Sequence, residues 1–143
     1  NNRLGIVELS ATNSQEASKI VTKLIDDFGL SKILNVKGRM LSGGQRRKVE
    51  IARTLISSPN LILLDEPFAG IDPIAVEEIK ELLKEISKKD ISILITDHNV
   101  RETLSLCDRA IILVDGNIIA DGTEKQLKEN EYVGQKYFGK MFS

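Results

Sequence analysis

Tryptophan is absent from this 143-residue chain, cysteine and histidine occur once each, and aromatic residues make up only 4% of it. The single cysteine, Cys107, cannot close an internal disulfide, which excludes a disulfide-stapled scaffold and fits a reducing compartment. No sign of charge is in excess: Lys+Arg 20 against Asp+Glu 21 leaves a net charge of -1, with no general pull toward nucleic acid or an acidic membrane surface. Long hydrophobic runs are missing too. The stretches from Leu61 to Leu64 and from Ala110 to Val114 fall far short of the roughly 20 apolar residues that cross a bilayer. No basic-then-apolar leader opens the chain, so secretion has no support. The first residue is Asn1, which leads us to expect that a native beginning precedes it. The 10 glycines and 3 prolines are scattered, with no repeat or low-complexity tract, and a single compact unit is expected.

What is present is helical and strand periodicity in alternation. Ala17, Ile20, Val21, Leu24, Ile25 and Phe28 recur at three- and four-residue spacing, one face of a helix that Gly29 suits as a stop. A second helix is expected from about Gly43 to Ser57, with Val49, Ala52, Leu55 and Ile56 inward, broken by Ser58-Pro59-Asn60. Leu61 to Leu64 reads as a strand buried on both faces. A helix over about Ile74 to Ser87 buries Val76, Ile79, Leu83 and Ile86, and a second buried strand follows from Ile91 to Thr96. After a short helix near Val100 to Leu106 comes a third strand, Ala110 to Val114. Asp115-Gly116 then signals a hairpin returning through Asn117 to Ile119, and Thr123 with Gln126 reads as a capping box. This rhythm predicts an α/β fold with a mostly parallel sheet and a C-terminal hairpin.

Three residue sets carry chemistry. Asp65 and Glu66 end an apolar strand, and Pro67 stops it. Ligands of parallel sheets bind at the carboxyl ends of strands, where one acidic group suits a hydrated Mg²⁺ and the next an attacking water. A solvated strand-to-loop junction has the same appearance. Leu41-Ser42-Gly43-Gly44-Gln45 opens a helix: its glycines admit close backbone approach, the helix N-terminus favours an anion, and Ser42 is equally an N-cap. His98, the lone histidine, lies two residues beyond the second strand, which places it toward the sheet edge of Asp65 and Glu66.

Together these sets resemble the ATP-binding-cassette ATPases. Leu41 to Gln45 is similar to that family's signature motif, Leu61 to Pro67 to its Walker B strand with the following glutamate, Ala69-Gly70-Ile71-Asp72 to its D-loop, and His98 to its switch histidine. The resemblance runs from about Gln15 to the C-terminus. It implies ATP as substrate and Mg²⁺ as cofactor: Asp65 holds Mg²⁺ through water, Glu66 polarises the attacking water and His98 senses the γ-phosphate. It further implies that Leu41, Ser42, Gly43, Gly44 and Gln45 clasp the ATP of a second, identical subunit, while Asp72 links the two sites. The implied partners are that second subunit and transmembrane transporter subunits, with no nucleic acid. The implied location is peripheral, on the cytoplasmic face of a bacterial inner membrane.

Within the family, the stretches Arg46 to Arg53, Asp65 to Pro73 and Thr96 to Thr103 resemble the ATPases of lipopolysaccharide transport, with branched-chain amino acid transporters as the competing subgroup. A DNA-repair or chromosome-structuring head domain fits less well, because no sustained heptads or excess of positive charge occur.

The family's phosphate loop, Gly-x-x-x-x-Gly-Lys-Ser/Thr, has one near match, Gly134 to Met141, in which Met141 replaces the hydroxyl residue and no buried strand precedes. It also follows the Walker B stretch instead of preceding the signature, and is rejected. The expectation is therefore a C-terminal part of a cassette: residues 1–45 a remnant of the helical subdomain ending in the signature, and 46–143 the C-terminal part of the ATPase core. Alone it is expected to be inactive or to act as a noncatalytic dimerising fragment. Of the smaller features, Tyr132, Tyr137, Phe138 and Phe142 are expected to fold back on their own domain or to serve as a dimer contact. Arg46, Arg47, Lys48 and Arg53 read as a solvated basic helix face, with charge near a nucleotide interface as the alternative. Cys107 reads as a small core residue.

Overall fold

The computed structural model describes residues 14–133. The near match Gly134 to Met141 and the aromatics Tyr137, Phe138 and Phe142 lie outside the described residues. The chain forms two compact units, the first ending at Thr96 and the second beginning at Asp97, where the sequence led us to expect one. The reason is visible in the second unit, which gathers a core of its own.

In the first unit, α1 (Ser14–Asp27) ends as its sequence predicts. Gly29 adopts φ +61° and donates to the Asp26 carbonyl at 3.1 Å, while Leu30 N–H reaches back to the Ile25 carbonyl at 2.8 Å. That paired closure needs a left-handed residue, which glycine supplies without a Cβ clash. Two short 3₁₀ turns, Ser31–Ile33 and Gly38–Met40, lead to α2 (Gly43–Leu55). Val21, Leu24, Ile25 and Leu30 meet Val49, Ala52 and Ile56 in one apolar seam between α1 and α2. The inward face of α2 also includes Ile51, 1% exposed and not foreseen, whereas Val49 and Leu55 are half-buried.

Strand β1 (Leu61–Asp65) pairs in parallel with β2 (Ser92–Thr96), in the register Leu61 to Ser92 through Asp65 to Thr96. Between them runs α3 (Pro73–Ser87), which packs on α2 and on β2. Its stripe Ile79, Leu83 and Ile86 is fully buried, each side chain worth roughly 1.5–3 kcal/mol of transfer free energy. The expectation that both strands are buried on both faces is corrected here. Ile62 and Leu64 are buried, but Leu61, Leu63 and Leu94 are 53%, 66% and 57% exposed. Successive strand side chains point to opposite faces, and among the described residues the helices of this unit cover only one of them.

The second unit comprises α4 (Val100–Leu104), β3 (Ala110–Val114), β4 (Asn117–Gly122), α5 (Glu124–Glu129) and α6 (Glu131–Val133). Leu104, Ile112, Leu127 and Val133 form its core. β3 and β4 pair antiparallel as a sheet of their own, and here too alternate residues, Ile111 and Leu113, are exposed. The connecting Asp115-Gly116 has φ +51° and +77°, the double left-handed turn whose twist matches a two-residue hairpin. Thr123 and Gln126 form the predicted capping box. Cys107 is half-buried, and burial, with Asp108 adding to it, pushes its thiol up, away from nucleophilic character. Tyr132 is 49% exposed.

Candidate functional site

The carboxyl end of the parallel pair is built by two side chains in register. Asp65 closes β1 and Thr96 closes β2, and the Thr96 hydroxyl donates to Asp65 Oδ1 at 2.5 Å. Glu66 follows with φ +45°, a left-handed backbone unusual for a residue with a side chain. Its N–H donates to the Thr96 carbonyl at 2.7 Å, extending the strand ladder by one bond. Its own carbonyl accepts from Ala69 N–H at 3.2 Å and from Arg47 Nη2 at 3.1 Å. Pro67 and Phe68 are buried just beyond, so the turn is anchored while the Asp65 and Glu66 side chains remain exposed.

From this turn the chain runs through Gly70, at φ +69°, to Asp72, the N-cap of α3. Asp72 Oδ1 accepts from Ala75 N–H at 3.0 Å, and Pro73 stands at the first helical position, where its missing N–H costs nothing.

Ser42 caps α2 in the same manner. Its Oγ accepts from Gln45 N–H at 3.2 Å, and Gln45 Oε1 accepts from Ser42 N–H at 3.0 Å. Leu41 just before it is half-buried. Gly43 and Gly44 sit against the Gly70–Ala75 segment. A Cβ on Gly43 would meet Ile71 Cγ2 at 3.0 Å and the Gly70 carbonyl oxygen at 3.2 Å. One on Gly44 would meet Ala75 Cβ at 2.5 Å. The sequence offered ligand approach as the reason for these glycines; the fold adds close packing of α2 on the start of α3.

The basic start of α2 is only partly solvated, which corrects its reading as a plain surface. Arg46 and Arg53 are exposed, but Lys48 Nζ pairs with Glu78 Oε2 on α3 at 2.7 Å. Arg47 is held by Glu50 Oε2 at 3.0 Å while it bonds the Glu66 carbonyl. Sequence reasoning passed over Thr96 and read Arg47 only as part of a basic helix face. Their partners lie 31 and 19 residues away, and no local signal marks them.

His98 belongs to the second unit, with a side chain 74% exposed. The Asp97 side chain beside it is 1% exposed and accepts from Asn99 N–H at 2.8 Å, a local turn that fixes the backbone carrying the imidazole.

A sequence model of the family described as "ABC transporter" matches residues 1–69. The lipopolysaccharide export system ATP-binding protein LptB of Haemophilus influenzae is 48% identical over 128 residues, which is 90% of this chain and 53% of that protein. The chain is similar to members of the ATP-binding-cassette family. The LptB protein of Escherichia coli is 44% identical over 135 residues, covering 94% of this chain and 55% of its own length. A crystal structure of the ADP conformation of an ATP-binding cassette of an ABC transporter superposes with a TM-score of 0.77 at 31% identity, over 90% of this chain and 52% of that one. The chain thus spans about half the length of the relatives it matches. Its α/β architecture with a parallel strand pair is that of the cassettes, and among the described residues no helix is long and apolar enough to cross a membrane.

Proposed function

We propose that this chain is the signature and Walker B portion of the ATP-hydrolysing subunit of a bacterial membrane transporter, one that powers lipopolysaccharide export. The observation that carries the reading is the joining of two elements in one unit. The carboxylates Asp65 and Glu66 stand exposed at the end of a parallel strand, and a capped Ser-Gly-Gly-Gln helix start packs against the loop that follows them. The similarity to the two LptB proteins supports the choice of cargo.

Each residue has a task that its geometry permits. Asp65 has one carboxylate oxygen engaged by Thr96, which leaves the other open toward a hydrated cation. A single carboxylate with a neighbouring hydroxyl fits Mg²⁺, which keeps most of its waters and takes phosphate oxygens from its nucleotide. When bound, Mg²⁺ neutralises charge on the β- and γ-phosphates. Glu66 orients the attacking water and accepts its proton on the carboxylate. Ser42 uses an oxygen lone pair for its cap, and its O–H is left to donate to a phosphate. The capping box occupies the N–H groups of Ser42 and Gln45, so those of Gly43 and Gly44 face an incoming anion at the positive end of α2. In the reading proposed, that anion is the nucleotide of a second copy, with Leu41 shaping the approach and Asp72 at the contact between copies. His98 donates to the γ-phosphate. Residues 1–45 then form a remnant of the helical subdomain and 46–143 the C-terminal part of the ATPase core. The assembled subunit binds transmembrane partners at the cytoplasmic face of the inner membrane.

The 143 residues contain no Gly-x-x-x-x-Gly-Lys-Ser/Thr segment, so turnover is expected to require a chain that supplies one. Calorimetry with Mg-ATP tests this directly. No binding is expected to these 143 residues, while full-length protein binds and hydrolyses ATP and its Glu66→Gln variant binds without hydrolysing. Phosphate release by the 143-residue chain above its own Glu66→Gln control would refute the division of labour.

A further inference from the structure

The geometry points to Arg47 as the positioning residue for Glu66, an inference that rests on the role proposed above for that carboxylate. Glu66 occupies a left-handed backbone conformation, φ +45°, that a residue with a Cβ does not hold without help from its surroundings. Strand pairing holds its N–H and the local turn holds its carbonyl from one side. A further bond to that carbonyl comes from α2, through Arg47 Nη2 at 3.1 Å.

The guanidinium is itself fixed. Nη1 is bound to Glu50 Oε2 at 3.0 Å, one turn along the same helix, and the side chain is only 26% exposed. A planar group committed at both terminal nitrogens has little freedom to swing, unlike an ammonium on a flexible stem. A charge-assisted bond to the peptide carbonyl therefore sets the plane of the Glu66–Pro67 peptide, and with it the direction in which the Glu66 side chain leaves the backbone. Water activation depends on that direction, since displacements of about 1 Å at a catalytic group cost large factors in rate. Arg47 also stands three residues past Gly44, on the helix whose start packs on the Gly70–Ala75 segment. The helix that presents the signature residues thus also holds the backbone of the water-orienting glutamate.

The test uses the full-length cassette, with steady-state ATP turnover and Mg-ATP affinity measured on each variant and Glu66→Gln as the reference. Arg47→Ala is expected to lower kcat roughly five- to tenfold with KM and calorimetric affinity within about twofold of wild type. Arg47→Lys, which keeps one donor, is expected to fall about two- to fivefold, and Glu50→Ala to lie between wild type and Arg47→Ala. A wild-type kcat in Arg47→Lys or Arg47→Ala, with Glu66→Gln inactive, would overturn the inference and leave the role of Glu66 standing. Affinity lost in step with kcat would make Arg47 a structural residue and also overturn it. Should Arg47→Ala not fold, Arg47→Lys decides by the same two readouts. Undiminished turnover in Glu66→Gln would instead remove the reading on which the inference rests.

Discussion

Replacing Gly44 with alanine should destabilise the first unit, against the usual gain from putting alanine into a helix. Gly44 is the second residue of α2, and an added Cβ would stand 2.5 Å from Ala75 Cβ. Carbon atoms in good contact lie at about 3.5–4.0 Å, so the overlap is about 1 Å. Both carbons are attached directly to backbone, and no rotamer change relieves them. Relief requires α2 to move away from α3, against the Lys48–Glu78 ion pair and the Arg47 bond. Overpacking of this kind costs about 1–3 kcal/mol, and the helix-propensity gain of Gly→Ala is at most about 1 kcal/mol. An overlap of about 1 Å between backbone-attached carbons puts the cost at the upper end, about 2–3 kcal/mol, so the net loss is about 1–2 kcal/mol, a fall of roughly 0.5–1 M in the urea midpoint. Gly38→Ala is the control: nothing lies within 4 Å of its added Cβ, and its midpoint should not fall. Adding Ala75→Gly to Gly44→Ala should remove the clash, so that the double variant is no less stable than Ala75→Gly alone. A Gly44→Ala protein as stable as wild type, or strictly additive losses in the double variant, would refute the packing argument.

Two further outcomes are expected. Asp72→Ala should cost about 1 kcal/mol by uncapping α3, whereas Asp72→Asn keeps a cap acceptor and should melt like wild type. A turnover defect in full-length Asp72→Asn, with stability intact, would then assign the carboxylate a task beyond the cap. In the second unit, Arg109 grips Asp121 through two bonds, Nε to Oδ1 at 2.8 Å and Nη2 to Oδ2 at 2.6 Å. The Arg109 hydrogen bond holds the Asp121 carboxyl below its ordinary value, though desolvation opposes it. A group depressed in the folded state contributes stability above its unfolded value near about 3.9, and that contribution is lost as pH falls through the lower folded value. An NMR titration of Asp121 should therefore have its midpoint below about 3.9, rising in Arg109→Ala; an unchanged midpoint would contradict the pairing.

The parts of this fold that could be read in advance are those whose cause is local. Gly29 at the end of α1, Asp115-Gly116 between β3 and β4, and Thr123 with Gln126 each act through bonds spanning a few residues. Burial on the second face of the strands was not legible. An apolar run such as Leu61 to Leu64 has the same composition whether one face is covered or both, and only the packing helices decide. Asp65, Glu66 and Ser42 could be found because acidic pairs after apolar strands and Ser-Gly-Gly helix starts are contiguous in sequence. Thr96 looks like any strand threonine and Arg47 like any helix-surface arginine until register and packing bring them to Asp65 and Glu66.

The same contrast bears on how the signature glycines should be interpreted. Gly43 and Gly44 satisfy two demands: their N–H groups lie at the positive start of a capped helix, and their missing Cβ atoms admit the Gly70–Ala75 segment. A substitution there that abolishes ATP turnover is therefore ambiguous by itself, because a displaced helix start and a blocked phosphate both silence the site. The two causes part on stability. Steric displacement of α2 lowers the unfolding free energy in the absence of nucleotide, while interference with phosphate leaves it untouched and appears only when ATP is bound. Because α2 also carries Arg47, displacement should further loosen the hold on the Glu66 carbonyl. If the proposed roles hold, Gly44→Ala is thus expected to impair two functions at once: the clasp on a second copy's phosphate proposed for the start of α2, and the water orientation proposed for Glu66.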